Sequence, residues 1–487
     1  MGEIRTHKNF INGSWVDPRS GRYYRDTNPA DDQDLIGDFP LSDEEDVRAA
    51  VESAHAALTR WRRLPPAQRE RHIEGFAELL AGNRQRVGEV ICREEGKTLA
   101  EALGEPDRGV EETRYFLGEG RRLEGITMPS DRAGVMSLAA RVPIGVVAAI
   151  TPWNFPVLTP LRKIIPALVM GNTVVFKPAS DTPHSAVALM ELFEQAGLPA
   201  GVVNMVIGQG GAIGDALCGH PLVRGITFTG STAVGRRINT VAARNFTRVQ
   251  LEMGGKNPAI VAGYHRPDYA AAQIASAAFA VSGQRCTSIS RLIALREEAE
   301  ELEERIAEKA RAYVVGNGMD PKVTLGPLIN RTAGESIMAY IRGAVEAGAR
   351  IRAGGKQLTG GIYDRGFYLE PTLLTEVTPG MRVAGEEIFG PVLVSIRVDS
   401  FEEAMAVANG TQYGLAASLF SDDLEVVHLF QRDIEAGMAH VNHGTITDSG
   451  MPFGGVKASG LGAFSKGATN KDFYTTYKVH YLKLTPD

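Results

Sequence analysis

From residue 144 onward the chain alternates short apolar, β-branched runs with stretches long enough for crossover helices, and no other feature restricts its fold as much. The runs cover residues 144–150, 173–176, 202–207 and 225–229, with helical stretches at 161–170, 185–196 and 211–217 between them. Such a series predicts a parallel sheet covered on both faces, because a crossover helix must bury its apolar stripe against the sheet. A second series starts near Pro258, with a helix over 269–282, a strand around 291–295 and a helix over 297–313. Paired glycines at Met253-Gly254-Gly255 place the boundary between two α/β units. Ahead of both, residues 43–120 carry apolar residues at helical spacing, and Pro65-Pro66 breaks that region into separate amphipathic helices. The tail, residues 472–484, alternates like a strand and has no hairpin partner beside it, so it should pair with a distant segment or another subunit.

Composition excludes several functions. With 44% apolar and 23% charged residues the chain is globular, and a net charge of −6 argues against a nucleic-acid partner, which would need a broad basic face. No run is long enough to span a membrane, and the start lacks the apolar core of a signal peptide. Met1, Gly2 and Thr6 match a loosely read myristoylation pattern, which chance explains. Three cysteines without C-x-x-C or metal-type spacing suit a reducing cytoplasm and imply no metal.

Of those cysteines, Cys92 and Cys218 read as inert and buried. Cys286 differs: in SGQRCTS it follows a helix, adjoins Arg285 and sits among small polar residues, a setting in which a positive charge favours the attacking thiolate. Glu252 ends an apolar strand just before the paired glycines, where partial desolvation suits a base. Asn154, in a turn fixed by Pro152 and Pro156, offers a rigid N–H donor for a developing oxyanion. The segment FTGSTAVG, residues 228–235, places glycine and free amides at a helix start, which suits a dinucleotide, although neither it nor residues 208–214 has the G-x-G-x-x-G spacing. Lys177 stands at a strand end, where α/β folds put ligand-binding side chains.

Seven segments in order, TPWNFP (151–156), FKPAS (176–180), FTGSTAVG (228–235), LEMGGKNP (251–258), GQRCT (283–287), EEIFGPV (386–392) and PFGGVKASGLG (452–462), together resemble the aldehyde dehydrogenase superfamily over essentially the whole chain. That resemblance implies an α/β fold of two Rossmann-like parallel-sheet domains plus a β oligomerisation flap. A cofactor-binding domain would span residues 1–121 and 144–253, a catalytic domain 254–453, and the flap 122–143 with 467–487. It also implies Cys286 as nucleophile, Glu252 as general base and Asn154 as oxyanion donor, joined by the Cys286 backbone N–H. NAD or NADP would be held by Ile150, Trp153, Lys177, Ser180, Gly230, Ser231, Glu387 and Phe389. Ser180 stands where NAD-preferring relatives carry a glutamate, so NADP should be accepted. Phe464 replaces an acid that several relatives place near the base.

The resemblance extends to succinic semialdehyde dehydrogenases through Arg162, eight residues after Asn154, with Arg285 a second cation. Ala280 replaces a further arginine those enzymes carry. Two guanidiniums would select an anionic semialdehyde, 2-oxoglutarate semialdehyde or succinic semialdehyde, with Arg162 or Arg285 paired internally to an acid as the competing expectation. Alternatives are an aromatic or aliphatic aldehyde dehydrogenase, a coenzyme A-acylating semialdehyde dehydrogenase, or a non-catalytic relative. A cytoplasmic homodimer or homotetramer is the expected assembly.

Overall fold

The computed structural model describes residues 4–483, so Met1 and Gly2 of the myristoylation pattern and residues 484–487 of the expected flap lie outside them. Within the first α/β unit, neighbouring strands run Ser14–Val16, Asn9–Ile11, Val203–Met205, Thr173–Lys177, Val146–Ile150, Val223–Thr229, Arg248–Glu252 and Gly460–Leu461. The five from Val203–Met205 to Arg248–Glu252 are parallel. Their order reverses between Val146–Ile150 and Val223–Thr229, a topological switch point where α/β sheets open a crevice at the strand C-termini. Register pairs Ile150 with both Lys177 and Phe228, and Thr229 with Glu252. Residues that are far apart in sequence therefore share one edge of the sheet.

The chain crosses to a second sheet between Glu252 and Asn257. Its order is Arg350–Ala353, Thr372–Thr375, Val392–Val398, Ile289–Leu295, Asn257–Val261, Ala416–Phe420 and Met438–Val441, parallel except for the first pair. Both sheets are mixed at their margins, for a physical reason that periodicity does not reveal. The antiparallel additions are only two to four residues long, too short to show an alternation. The tail pairs within its own chain: Thr475–Lys483 runs antiparallel to Val135–Pro143, which also pairs with Ile126–Pro129.

Four helices, Glu44–Arg63, Pro66–Gly82, Arg84–Glu95 and Leu99–Phe116, fill the region read as amphipathic. Asp43 caps the first through a capping box with Asp46, and Thr98 caps the fourth with Glu101. The helix expected over 269–282 instead ends at Phe279, and Val281 and Ser282 follow with φ of 54°. Left-handed backbone at a β-branched residue persists only where its surroundings hold it. Here Glu101 Oε1 accepts the Val281 N–H at 2.8 Å, and Ser282 Oγ donates to the Gly326 carbonyl at 2.8 Å. That strained turn delivers the chain to Cys286.

Candidate active site

A cavity of about 260 Å3 opens beside the switch point, and Asn154, Glu252 and Cys286 all line it. Each is positioned by a different element. Asn154 follows the strand Val146–Ile150; one Nδ2 hydrogen reaches the Gln284 carbonyl at 2.8 Å, leaving its second N–H for a ligand. The fully buried Lys97 braces the same turn, donating to the Asn154 carbonyl at 2.6 Å and to Glu105 Oε1 at 2.8 Å. Glu105 Oε2 in turn accepts the N–H groups of Val157 and Leu158 at the start of the helix Leu158–Val169. Asn257 fixes the cysteine loop, its Nδ2 donating to the Cys286 and Ser288 carbonyls at 2.7 and 2.8 Å.

The electrostatics describe a resting site. Burial, then the Glu387 and Glu252 carboxylates, push the Cys286 thiol up to about 12, against the opposing pull of Arg285 and Arg162. Arg285 thus pulls the thiol toward the thiolate, as its place in the sequence suggests, and burial outweighs that pull. Burial raises Glu252 and lowers Lys163, whose ammonium pulls the carboxyl the other way. Glu252 Oε1 accepts the Ser465 N–H at 3.4 Å, while its buried Oε2 has no protein partner and is available to a water or thiol. Lys163 Nζ donates to Thr227 Oγ1 at 3.1 Å, Thr227 to Gln250 Oε1 at 2.8 Å, and Gln250 Nε2 to the Phe464 carbonyl at 3.3 Å. At the position of the missing acid, a polar chain thus ends on backbone.

Around the strand ends stand the expected dinucleotide residues. Lys177 Nζ is buried and among the described residues donates only to the neighbouring Pro178 carbonyl, at 2.7 Å; burial lowers it to about 8. Ser231 caps the helix Thr232–Ala243, accepting the Val234 N–H at 3.4 Å, and Ser180 Oγ donates to the Gly208 carbonyl at 3.3 Å. Ile150 is buried at its strand end. Gly230 N–H donates to the Glu252 carbonyl at 3.1 Å, and a Cβ there would strike the Phe228 ring. Beyond them Trp153 and Phe389 meet edge to face at 5.5 Å, and Glu387 accepts the Gly255 N–H at 2.9 Å, its carboxyl raised to about 7 by burial. A buried amine with N–H groups to spare, a helix N-terminus and an aromatic pair along one crevice fit a nicotinamide dinucleotide.

Arg162 is less free than its spacing suggests. Its Nε and Nη2 form a fork on Glu112, at 2.8 and 2.7 Å, and Lys466 Nζ lies 3.4 Å from the same carboxylate. Arg285 has no such partner among the described residues; Nη2 reaches only Thr287 Oγ1 at 3.3 Å and Thr445 Oγ1 at 3.5 Å. Sequence reasoning missed Glu101, Glu105, Arg108 and Glu112. Their spacing along Leu99–Phe116 puts them on one helix face, and such a charged stripe ordinarily reads as solvated. Here it turns inward: Glu101, Glu105 and Arg108 line the cavity and Glu112 is buried beside it. Among the described residues no metal-binding cluster exists, and no helix is long and apolar enough to cross a membrane.

A thiol able to add to a carbonyl, set against a strand-end crevice suited to a dinucleotide, defines the class of NAD(P)-dependent oxidoreductases that work through a covalent cysteine adduct. The chain matches the Aldehyde dehydrogenase family over residues 15–480. It is 40% identical over 482 residues to the alpha-ketoglutaric semialdehyde dehydrogenase of Bacillus subtilis (strain 168), covering 99% of each chain. It is 38% identical over 453 residues to the succinate-semialdehyde dehydrogenase (NADP(+)) of Escherichia coli (strain K12), covering 93% of each. Its structure superposes with a TM-score of 0.96 on a 3,6-anhydro-L-galactose dehydrogenase solved with NADP, at 35% identity over 98% of this chain and 100% of that one. The chain belongs to the aldehyde dehydrogenase family, and it oxidises aldehydes with NAD or NADP.

Proposed function

We propose that the chain converts an anionic semialdehyde, 2-oxoglutarate semialdehyde or succinic semialdehyde, to the corresponding carboxylate through a thioester on Cys286. The observation that carries this reading is Arg285, a guanidinium beside the nucleophile whose hydrogen-bond partners are hydroxyls and not a carboxylate. A cation so placed suits a substrate that brings its own negative charge. The names of the relatives agree, two of them being semialdehyde dehydrogenases.

Cys286 Sγ attacks the carbonyl carbon while Glu252 accepts the thiol proton, so the site needs no free thiolate at rest. Asn154 Nδ2–H and the Cys286 backbone N–H hold the oxygen of the thiohemiacetal, a stabilisation of about 3–4 kcal/mol per donor in comparable sites. A bound nicotinamide would supply the hydride acceptor, and loss of hydride from the thiohemiacetal carbon leaves a thioester on Cys286. Glu252 releases the thiol proton to solvent and then takes one from water as that oxygen adds to the thioester carbon; the tetrahedral adduct collapses, Sγ leaves and recovers a proton from Glu252, and the product departs as a carboxylate. Retention of this base favours water over coenzyme A as the acyl acceptor. Lys177, Ser231, Gly230 and Glu387 serve the dinucleotide, with Ile150, Trp153 and Phe389 shaping its pocket. Ser180 introduces no carboxylate against a 2′-phosphate, so NADP is accepted.

In this reading residues 1–121 and 144–253 bind cofactor and 254–453 carry the nucleophile. Segments 122–143 and 467–487 make the interface of a cytoplasmic homodimer or homotetramer. Met128 at 64%, Tyr481 at 70% and Val479 at 55% exposure support such an interface, since these apolar side chains lie on the small three-stranded sheet. The test is a kinetic panel of succinic, glutaric and 2-oxoglutaric semialdehydes against propanal and benzaldehyde, each with NAD and NADP. A higher kcat/KM for the anionic aldehydes supports the reading; equal or better turnover of the neutral ones refutes it.

A further inference from the structure

Three arginines line the cavity that holds Cys286, and they are not equivalent. Arg162 presents its Nε edge to Glu112 in a two-point fork, and that buried carboxylate also faces Lys466, 3.4 Å away. Its best recognition edge is already occupied by protein. Arg108 and Arg285 have no carboxylate within ion-pair distance among the described residues. Arg108 Nη2 donates to the Thr447 carbonyl at 2.6 Å, and Arg285 Nη2 to Thr445 Oγ1 at 3.5 Å. Both therefore rest on one three-residue segment, Thr445–Thr447, that lines the cavity with them. The acid nearest in role, Glu101, has its oxygens engaged by the Val281 N–H at 2.8 Å and by the Thr98 N–H and hydroxyl at 3.1 and 2.8 Å. Thr445 Oγ–H donates to the Thr287 carbonyl at 2.7 Å, which fixes the segment against the cysteine loop.

Arg108 and Arg285 line one cavity on neutral hydrogen-bond partners, and like charges that share a cavity favour an anion between them. We propose that Arg108 and Arg285 together bind the far carboxylate of the substrate, whereas Arg162 is a positioning residue locked on Glu112. The inference rests on the proposed anionic substrate and says which cations read it. Arg285, next to the nucleophile, and Arg108, on the helix Leu99–Phe116, approach from two different elements. A carboxylate offers two oxygens, one for each donor group.

The experiment compares wild type with Arg108→Met, Arg285→Met and the charge-retaining Arg108→Lys. The readout is the ratio of kcat/KM for succinic semialdehyde to that for propanal. A second, non-catalytic readout is the thermal shift given by glutarate, a dicarboxylate that cannot react. Loss of a charge-assisted contact should lower the ratio roughly ten- to a hundredfold in either Met variant, mostly through KM. Glutarate protection should also vanish in both Met variants, while Arg108→Lys should retain part of each signal. An unchanged ratio and unchanged protection in both Met variants, with wild type still preferring the anion, overturns this assignment and leaves the proposed function standing. A wild type indifferent to charge overturns the proposed function, and this inference with it.

Discussion

Lys97→Met tests how the oxyanion donor is held in place. Lys97 is fully buried, 2.8 Å from Glu105 Oε1 and 2.6 Å from the Asn154 carbonyl, with Nζ 4.2 Å above the Phe155 ring. Methionine fills similar volume but leaves the buried Glu105 carboxylate without its ion-pair partner, hydrogen-bonded by the Val157 and Leu158 N–H groups. Breaking a buried pair from one side costs about 3–5 kcal/mol, which for a unit of this size lowers Tm by roughly 6 to 20 °C. The same change frees the Asn154 turn, and a misplacement of about 1 Å costs on the order of a hundredfold in rate. Glutamine at 105 still accepts from both N–H groups without carrying charge, so Lys97→Met with Glu105→Gln should recover much of the lost Tm but not the lost kcat. Differential scanning fluorimetry and steady-state kinetics on the two variants provide both numbers. A single variant within 2 °C of wild type, or a double variant no more stable than the single, refutes the reasoning.

Two further outcomes follow from the site. Burial raises the Glu252 carboxyl to about 8, so the base is mostly protonated at neutral pH and gains function as pH rises; kcat should climb through about pH 8, and Glu252→Gln should abolish that limb. Ser180→Glu supplies the carboxylate that NAD-preferring relatives carry at this position, and the ratio of kcat/KM for NADP to that for NAD should fall by roughly tenfold or more, measured by initial rates with each cofactor.

Much of the sheet was legible because its strands are apolar runs flanked by turn residues. Residues 173–176 and 225–229 were placed within two residues of the strands Thr173–Lys177 and Val223–Thr229. What stayed hidden depends on partners remote in sequence. The helix ending at Phe279 was read three residues too long, because Val281 is held in the left-handed region by Glu101, about 180 positions away. Arg162 was legible as a cation near the substrate but its fork on Glu112 was not, since a side chain's spacing from Asn154 says nothing of which acid meets it. The stripe Glu101, Glu105, Arg108, Glu112 had the pattern of a solvated helix face. It turns inward, with Glu105 and Glu112 fully buried, because each acid meets a cation or backbone N–H groups, compensation that only tertiary structure supplies.

The claim beneath the whole account is a covalent acyl group on Cys286. Mass spectrometry of the wild-type protein, acid-quenched within its first turnover of succinic semialdehyde with NADP, tests it most directly. The account predicts a succinyl thioester on the peptide containing Cys286, formed together with NADPH and decaying as the carboxylate product appears. NADPH production by a Cys286→Ala protein, or an acyl group found on any other residue, would contradict it.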